Sequence, residues 1–455
     1  MSGRRGPPSG TPAAGSKKEA QIVSYRVGKW LPSDQERLND WLKKLIEEVD
    51  GTDEIDGADE IDAAAEGLKI PGLLPPVEDL KTLIETDSEV SMFFHQMFAQ
   101  VPFKPPYILD PMGKPQVRHY RLMLRLINRV MTKAPEYSRK GLVGFPINAI
   151  LDWPMATVGG YAAFLNDKVN TQLKRVLNCW GTFLKSSDSC YVLSNDDKTG
   201  WFGKEAMEDM PNFDLEFVCD PKAAYHGFTS WDDFFVRQYR EGMRPIASPD
   251  DTKVIANACE SATFNIQFNV KRRARFWIKS QPYSMQFMLA NDPLVDLFVG
   301  GTVYQAFLSA LSYHRWHSPV DGIIKKAYVV EGSYYSEAQC AGFDDSAPND
   351  TQSYLTEVAA RAVIFIEADN KYIGLMAFLA IGMAEVSTNE ITVYEGQRVK
   401  KGQELGMFHF GGSTHCLIFR PGVEVKFVVE QKEIGEYPHD NIPINSKIAT
   451  VPYDQ

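Results

Sequence analysis

The sequence of 455 residues lacks the features that mark membrane, secreted or nucleic-acid-binding proteins. No apolar run approaches the roughly 18 residues that a membrane-spanning helix needs. The segment that begins at Met1 has no apolar stretch typical of a signal peptide. The net charge of −11 argues against nucleic acid as a partner and against docking on an anionic membrane surface. We therefore expect a cytoplasmic protein with no stable membrane anchor and no nucleic-acid partner.

Cysteine is also scarce. The six cysteines are scattered and form no CxxC pair, whereas disulfide scaffolds are denser and zinc sites are more regularly spaced. We expect reduced, buried thiols, and the sequence indicates no metal site. The cysteines are Cys179, Cys190, Cys219, Cys259, Cys340 and Cys416.

The sequence does have enough apolar residues for a large core. Hydrophobic residues make up 44% of it, and the length favours two domains. Residues 1–22 are rich in Gly, Pro and Ser and are expected to be disordered. Residues 23–76 predict a helix around Trp41–Ile46 followed by an acidic linker over Asp50–Glu66. This stretch lacks the alternating ligands and closing glutamate of a calcium-binding EF-hand loop.

In the remaining chain, the spacing of apolar residues changes near residue 227 from a helical to a β-rich pattern. Residues 77–227 have apolar residues at helical spacing over Glu78–Val101, His119–Thr132 and Val158–Leu184, with an interruption expected near Gly159-Gly160. Residues 228–455 instead contain short β-rich runs separated by glycine and proline. The sequence therefore predicts an α+β protein in which a helical N-terminal domain precedes a mainly β catalytic domain. The predicted strands include Val254–Ala256, Thr263–Val270, Ile323–Val330, Ala362–Glu367 and Ile373–Ile381.

One stretch of the β-rich part has the look of a hairpin from lipoyl or biotinyl carrier domains. It runs from Val393 to Gly406, and glycines are placed to turn the chain at both ends. A carrier needs a modifiable lysine at an exposed tip, and the preceding segment Glu385–Glu390 has none. We interpret the hairpin as shared architecture and not as a carrier. Val423–Val429 is predicted as a closing strand.

Two segments carry residues suited to catalysis. Gly411-Gly412-Ser413 places a hydroxyl after a flexible backbone, which suits a serine that attacks the preceding carbonyl, although most such tripeptides are turns. A serine needs a base, and His314 and His317 are the leading candidates. Pro319 disfavours a helix here, and in an extended segment the two rings point to opposite faces and have different roles. Hydrogen-bonded core histidines are the structural alternative.

Three segments together resemble the phosphatidylserine decarboxylase family of pyruvoyl enzymes. They are Phe234–Ile246, Tyr313–Pro319 with Gly322, and Gly406–Thr414, which occur in the family's order over roughly residues 228 to 440. The helical half, with Asp197–Trp201 and Trp231-Asp232-Asp233, resembles a narrower fungal branch that decarboxylates free aromatic amino acids.

The resemblance implies a proenzyme that cleaves itself between Gly412 and Ser413. Ser413 would attack the Gly412 carbonyl and end as a pyruvoyl group at the start of a short α chain, while the β chain ends at Gly412. The pyruvoyl carbonyl would form a Schiff base with the substrate amine, so no pyridoxal phosphate is needed.

The resemblance also implies roles for particular side chains. His317 corresponds to the base for self-cleavage, and His314 is the candidate proton donor in decarboxylation. Glu260 would orient His317, although the family has a Pro-Ala-Asp-Gly-like segment where this chain reads Ala258-Cys259-Glu260-Ser261. His409 and His415 flank the cleavage site and are interpreted as structural histidines at a β-edge.

The implied substrate is a free aromatic amino acid, with L-tryptophan, giving tryptamine, the favoured one. The alternative is the same chemistry on phosphatidylserine, giving phosphatidylethanolamine. The α and β chains of one precursor are the expected partners, and a homodimer is left open.

Overall fold

The computed structural model describes residues 35–50, 72–101, 117–137, 139, 144–274, 283–309, 311–338, 351–385, 388–410, 413–429 and 441–452. The predicted disordered N-terminus over residues 1–22 and nearly all of the acidic linker lie outside these residues. Gly411, Gly412 and Cys340 also lie outside them.

The N-terminal half is helical, as the sequence predicts. Its helices are α1 (Gln35–Asp50), α2 (Pro75–Thr86), α3 (Ser88–Gln100), α4 (Tyr120–Val130), α5 (Pro146–Met155), α6 (Val158–Leu165), α7 (Asp167–Leu184), α8 (Lys204–Asp209) and α9 (Phe213–Glu216).

Short polar residues separate helices that the apolar periodicity alone would join. The Asp87 carboxylate accepts hydrogen bonds from the amides of Glu89 and Val90, so α2 ends and α3 begins there. Asn166 caps α7 in the same way, with bonds from Lys168 and Val169. The predicted long helix over Val158–Leu184 is therefore two helices.

The expected interruption near Gly159-Gly160 is wrong, because both glycines lie inside α6 and the break comes at Asn166. A Cβ on Gly159 would lie 2.5 Å from the Met97 amide nitrogen, and one on Gly160 would lie 2.0 Å from the Pro154 carbonyl oxygen. The glycines thus permit close packing of α6 against its neighbours.

The second half is built on strands, together with the short helices α10 (Trp231–Phe235), α11 (Met285–Met288) and α12 (Gln352–Val358). The strands are β1 (Val254–Ala256), β2 (Ala262–Gln267), β3 (Thr302–Leu308), β4 (Arg315–His317), β5 (Gly322–Val330), β6 (Arg361–Ala368), β7 (Leu375–Gly382), β8 (Thr388–Ile391), β9 (Arg398–Val399), β10 (Glu404–His409), β11 (Ser413–Phe419), β12 (Lys426–Phe427) and β13 (Lys447–Thr450).

These strands form one large sheet and two small ones among the described residues. The large sheet has seven strands in the order β2-β3-β11-β7-β6-β5-β9, and the pairings within it are antiparallel. The small sheets are β4-β10-β8 and β1-β13-β12. Every residue of β7 and β11 is buried, because both faces of the large sheet are covered.

The predicted Val393–Gly406 hairpin is wrong as a pair of bonded strands. Gly396 and Gly402 do turn the chain, with φ angles of 86° and 79°. However, β9 pairs with β5, whereas β10 pairs with β4 and β8. The predicted closing strand over Val423–Val429 is reduced to Lys426–Phe427.

The described cysteines are all free. Cys190, Cys259 and Cys416 are buried, while Cys179 and Cys219 are half-buried. Burial raises the pKa of the Cys259 thiol well above its ordinary value. The thiol at this position is therefore protonated and inert at neutral pH.

The helical and β-rich parts meet along a polar and aromatic seam. The Trp180 ring of α7 contacts the Phe410 ring at a centroid distance of 4.5 Å. The Asn148 amide of α5 donates to Glu385 Oε1 at 2.8 Å. The helical half therefore touches the chain on the upstream side of Ser413. None of the helices in the described segments is both long and apolar enough to span a bilayer.

Candidate active site

Ser413 is the first residue of β11, the third strand of the seven in the large sheet. It lies opposite Leu308 of β3 and Gly382 of β7. The residue is fully buried, and its Oγ has no hydrogen-bond partner among the described residues. A buried hydroxyl without a partner calls for an explanation, and a chemical role is one explanation.

The two faces of β11 have different surroundings. Thr414 Oγ1 accepts a hydrogen bond from Gln305 on one face. Ser413 and His415 point to the other face, because side chains alternate along a strand. On that face the His415 ring contacts Phe378 of β7, which in turn contacts Trp316 of β4. Ser413 therefore faces the small sheet that carries the candidate histidines.

His314 lies immediately before β4 and is fully buried. Its ring stacks on Phe235 of α10 with centroids 3.9 Å apart. Burial, reinforced by the charge of Arg237, holds the pKa of His314 well below 6.5. The ring is therefore neutral at physiological pH. Phe235 also contacts Phe410, with ring centroids 6.0 Å apart, which connects His314 to the chain just upstream of Ser413.

His317 ends β4 and has a different environment from His314, as the extended segment predicts. Its Nε2 lies 3.1 Å from the Tyr313 hydroxyl. Burial of the ring and the neighbouring Arg315 charge lower its pKa to about 4, while Gly402 and Asn445 act in the opposite direction. A neutral imidazole is the form that can accept a proton.

Glu260 is not hydrogen-bonded to His317 in the described structure. It is fully buried, and its Oε1 lies 3.0 Å from the Arg244 guanidinium, while its Oε2 accepts the Ile444 amide at 2.7 Å. The segment does run alongside His317, whose amide donates to the Ala258 carbonyl at 2.8 Å. The orienting role for Glu260 stays a prediction, and the hydroxyl of Tyr313 is the group in contact with His317.

His409 and His415 are not at a β-edge, so that interpretation is wrong. His415 lies in β11, between β3 and β7, and His409 lies in β10, between β4 and β8. Both ring nitrogens of His415 lack hydrogen-bond partners among the described residues, and burial lowers its pKa to about 3. This unbonded histidine lies two residues from Ser413 on the same face.

His409 is held between two carboxylates. Its Nδ1 lies 3.0 Å from Asp232 of α10, and its Nε2 lies 2.7 Å from Glu390 of β8. Burial is the largest single influence and lowers the pKa of His409, but the hydrogen bonds to Asp232 and Glu390 and the charge of Asp232 together outweigh it, so the pKa is raised above 6.5. Sequence reasoning missed this arrangement, although Trp231-Asp232-Asp233 carried part of the family resemblance.

A cleft opens beside this histidine, between α7 and the ends of β7 and β10. Its volume is about 130 Å³, and its lining includes Trp180, Gly181, Glu385, His409 and Phe410. A larger cavity of about 560 Å³ lies within the helical half and shares Trp180 with the cleft. We regard the smaller cleft as the relevant one, because only it includes residues that flank Ser413.

Both halves of the chain match family models of one enzyme class. Residues 74–210 match one family model described as phosphatidylserine decarboxylase, and residues 231–440 match a second model with the same description. The chain belongs to the phosphatidylserine decarboxylase family, and it is a carboxy-lyase.

Individual relatives narrow the comparison. The chain is 43% identical over 326 residues to the decarboxylase iboD of Amanita muscaria, which covers 68% of this chain and 91% of that one. It is 36% identical over 401 residues to the L-tryptophan decarboxylase of Psilocybe cubensis, covering 84% and 87%. The phosphatidylserine decarboxylase proenzyme 3 of Schizosaccharomyces pombe is 31% identical over 197 residues, covering 43% and 19%.

The residues present fit the pyruvoyl group that this family uses. The group would be made from Ser413 itself, whose buried Oγ has no hydrogen-bond partner in the described part of the chain. Ser413 itself is fully buried. Within the described ranges, no cluster of three or more His, Cys, Asp or Glu residues has the arrangement of a metal site.

Proposed function

We propose that this protein is a self-cleaving, pyruvoyl-dependent decarboxylase of a free aromatic L-amino acid, with L-tryptophan as the favoured substrate. The observation that carries the proposal is the fully buried Ser413 hydroxyl at the start of β11, which has no hydrogen-bond partner among the described residues. Cleavage is proposed between Gly412 and Ser413.

The proposed roles rest on the family resemblance, and the surroundings of each side chain support them. Ser413 Oγ attacks the Gly412 carbonyl carbon while neutral His317 takes the hydroxyl proton, and that proton passes to the Ser413 nitrogen as the peptide bond between the two residues breaks to leave an ester. Elimination of the Gly412 carboxylate from this ester leaves a dehydroalanine, and its hydrolysis releases ammonia and forms the pyruvoyl group. The Tyr313 hydroxyl holds the His317 ring in place. Once formed, the pyruvoyl carbonyl supplies an electron sink for loss of CO2 from a bound amino acid. His314, fixed by its stacking on Phe235, is the proposed proton donor. Because its ring is neutral in the free protein, it takes up a proton from solvent and delivers it to the substrate carbon that has lost CO2.

A soluble substrate is favoured by the extent of the similarity. The L-tryptophan decarboxylase of Psilocybe cubensis covers 84% of the chain, including the helical half, whereas the Schizosaccharomyces pombe proenzyme covers 43%. The net charge of −11 also disfavours an anionic lipid surface. Phosphatidylserine is the second candidate, because the chain is also similar to a phosphatidylserine decarboxylase proenzyme.

Intact-mass measurement of the purified protein tests the proposed maturation. We expect two chains, the smaller beginning at residue 413 with a pyruvoyl group, and Ser413→Ala should abolish both cleavage and decarboxylation. Ser413→Ala removes the nucleophilic oxygen without adding bulk to a fully buried position. An uncut wild-type protein with full activity would contradict the proposal.

The same preparation tests the substrate. We expect CO2 release from L-tryptophan and none from phosphatidylserine in liposomes, with Ser413→Ala as the inactive control. Turnover of the lipid alone would overturn the choice of a free amino acid.

A further inference from the structure

The cleft beside α7, called here the α7 cleft, reaches the neighbourhood of Ser413 from the solvent. Asn178 and Thr388 at its mouth are exposed, whereas Trp180 and Phe410 are buried. Phe410 lies three residues before Ser413 along the chain. The inner end of the cleft is therefore next to the proposed reaction centre.

A second residue of the inner end follows a strand that is paired with β11 at Ser413. Glu385 follows Gly382 by three residues, and Gly382 is paired directly with Ser413. The chain just before Ser413 and the chain just after β7 thus both line this cleft.

Two residues at the inner end have backbone conformations that residues other than glycine seldom adopt. Phe410 has a φ angle of 45°, and Ala384, just before Glu385, has a φ angle of 56°. Such conformations cost about 1 to 3 kcal/mol and persist only where surrounding contacts impose them. The Phe410 ring is fixed by contacts with Trp180, Trp231 and Phe235.

The chemistry of the inner end suits a ring that carries one polar atom. Trp180 and Phe410 supply aromatic walls, and Glu385 supplies a carboxyl that is 4% exposed. Glu385 Oε1 accepts the Asn148 amide, whereas Oε2 has no hydrogen-bond partner among the described residues. Burial raises the pKa of Glu385 to about 8, so its carboxyl is largely neutral at pH 7.

We propose that the α7 cleft holds the side-chain ring of the amino-acid substrate, with Trp180 and Phe410 as its walls and Glu385 as the hydrogen-bonding group. This inference rests on the proposed function. The volume of about 130 Å³ is close to that of a cavity of about 150 Å³ that holds benzene. A two-ring indole extends from there towards the open mouth. The helical half thus contributes directly to substrate selection.

Gly181 gives a direct test, because it lines the cleft and a Cβ there would meet no atom within 4 Å. Gly181→Phe therefore fills the cleft without displacing the backbone, and replacing glycine within a helix favours the helix. We expect the KM for L-tryptophan to rise at least tenfold while self-cleavage remains complete. Thr171→Phe, at an exposed position of α7 outside the cleft, is the matched control and should keep the wild-type KM within twofold.

The outcomes separate the inference from the proposed function. A wild-type protein that decarboxylates no aromatic amino acid refutes the function. An active wild type with an unchanged KM in Gly181→Phe refutes the inference. If Gly181→Phe does not fold, Gly181→Cys is alkylated with a maleimide, with wild-type protein correcting for the native thiols. Protection of Cys at this position by saturating L-tryptophan supports the inference, and equal labelling overturns it.

The role of Glu385 is tested with the wild-type protein alone. In 3-benzothienyl-L-alanine, sulfur replaces the indole N–H, so the ring keeps its shape and loses its donor. We expect kcat/KM to fall at least tenfold relative to L-tryptophan, because a buried polar group is left without a partner. Equal kcat/KM values for the two substrates would show that Glu385 is not the hydrogen-bonding group for the substrate ring.

Discussion

At the scale of single residues, His314 and His317 are identical side chains in different environments, and we propose different roles for them. His314 stacks on Phe235 of α10, and His317 contacts the Tyr313 hydroxyl. Both pKa values lie below 6.5, mainly because burial disfavours the charged ring. Both histidines therefore enter the reaction uncharged at pH 7, and their positions distinguish them.

We predict that His317→Ala blocks self-cleavage, whereas His314→Ala matures but decarboxylates at least a hundredfold more slowly. The expected size reflects loss of a positioned proton-transfer group. Denaturing electrophoresis follows maturation, and CO2 release follows turnover. His95→Ala, in the exposed part of α3, is the control and should leave both unchanged. Equal cleavage defects in the two variants would remove this division of roles.

The residue scale is also where sequence reasoning reaches its limit. The motifs identify Ser413 and both histidines because each lies within a short segment whose neighbouring residues are informative: Gly411 and Gly412 precede Ser413, and the two histidines share one segment. Glu260 is found as a carboxylate, but its partners are not, since Arg244 lies 16 residues away and Ile444 lies 184 residues away. Glu385 is missed as a site residue, because its position depends on a turn after β7 and on contact with α5.

At the scale of secondary structure, His409 joins three elements. It connects β10 to α10 through Asp232 and to β8 through Glu390. The raised pKa means that the folded state binds a proton more tightly than the unfolded state. This bond therefore stabilises the fold fully below pH 6.5, and its contribution is lost as the pH rises through the folded-state pKa.

We predict that His409→Asn lowers the free energy of unfolding by about 2 kcal/mol below pH 6.5, because a charge-assisted hydrogen bond becomes a neutral one. The difference from wild type should shrink as the pH is raised above that value. Thermal unfolding from pH 5.5 to 9 measures this change. Asp232→Asn should show the same pH trend, and a difference that grows with pH would contradict the assignment.

Strands were easier to predict than their pairings. Val254–Ala256 matches β1, and the apolar runs at Ile323–Val330 and Ala362–Glu367 each match a strand to within one residue. The expected hairpin failed because β9 bonds to β5, whereas β10 bonds to β4 and β8, so the two strands do not pair with each other. The spacing of apolar residues within a strand indicates which face of that strand is buried, whereas strand pairing depends on the arrangement of the whole sheet.

At the scale of the whole molecule, the α+β class and the order of the two halves were predictable from the change in apolar periodicity. The contact between the halves was not, since it depends on single residues such as Trp180 and Phe410. The sequence likewise does not reveal that β11 lies inside the large sheet. That position has a consequence for the processed protein.

We predict that the two chains stay associated after cleavage. The smaller chain would begin with β11, which pairs along its length with β3 and β7 of the larger chain. Its β13 also pairs with β1. The chains should therefore migrate as one species in native mass spectrometry and separate only in denaturant. Release of the smaller chain under native conditions would contradict this arrangement.

Because Ser413 is buried between two neighbouring strands, its conversion to the pyruvoyl group would depend on correct folding. The proposed cleavage requires β3, β7 and the segment of His317 to be assembled around residue 413, so a misfolded chain acquires no reactive carbonyl. Titrating that carbonyl with a hydrazine reagent would then count the correctly folded molecules in a sample. The prosthetic group would serve as a permanent chemical record that folding was completed.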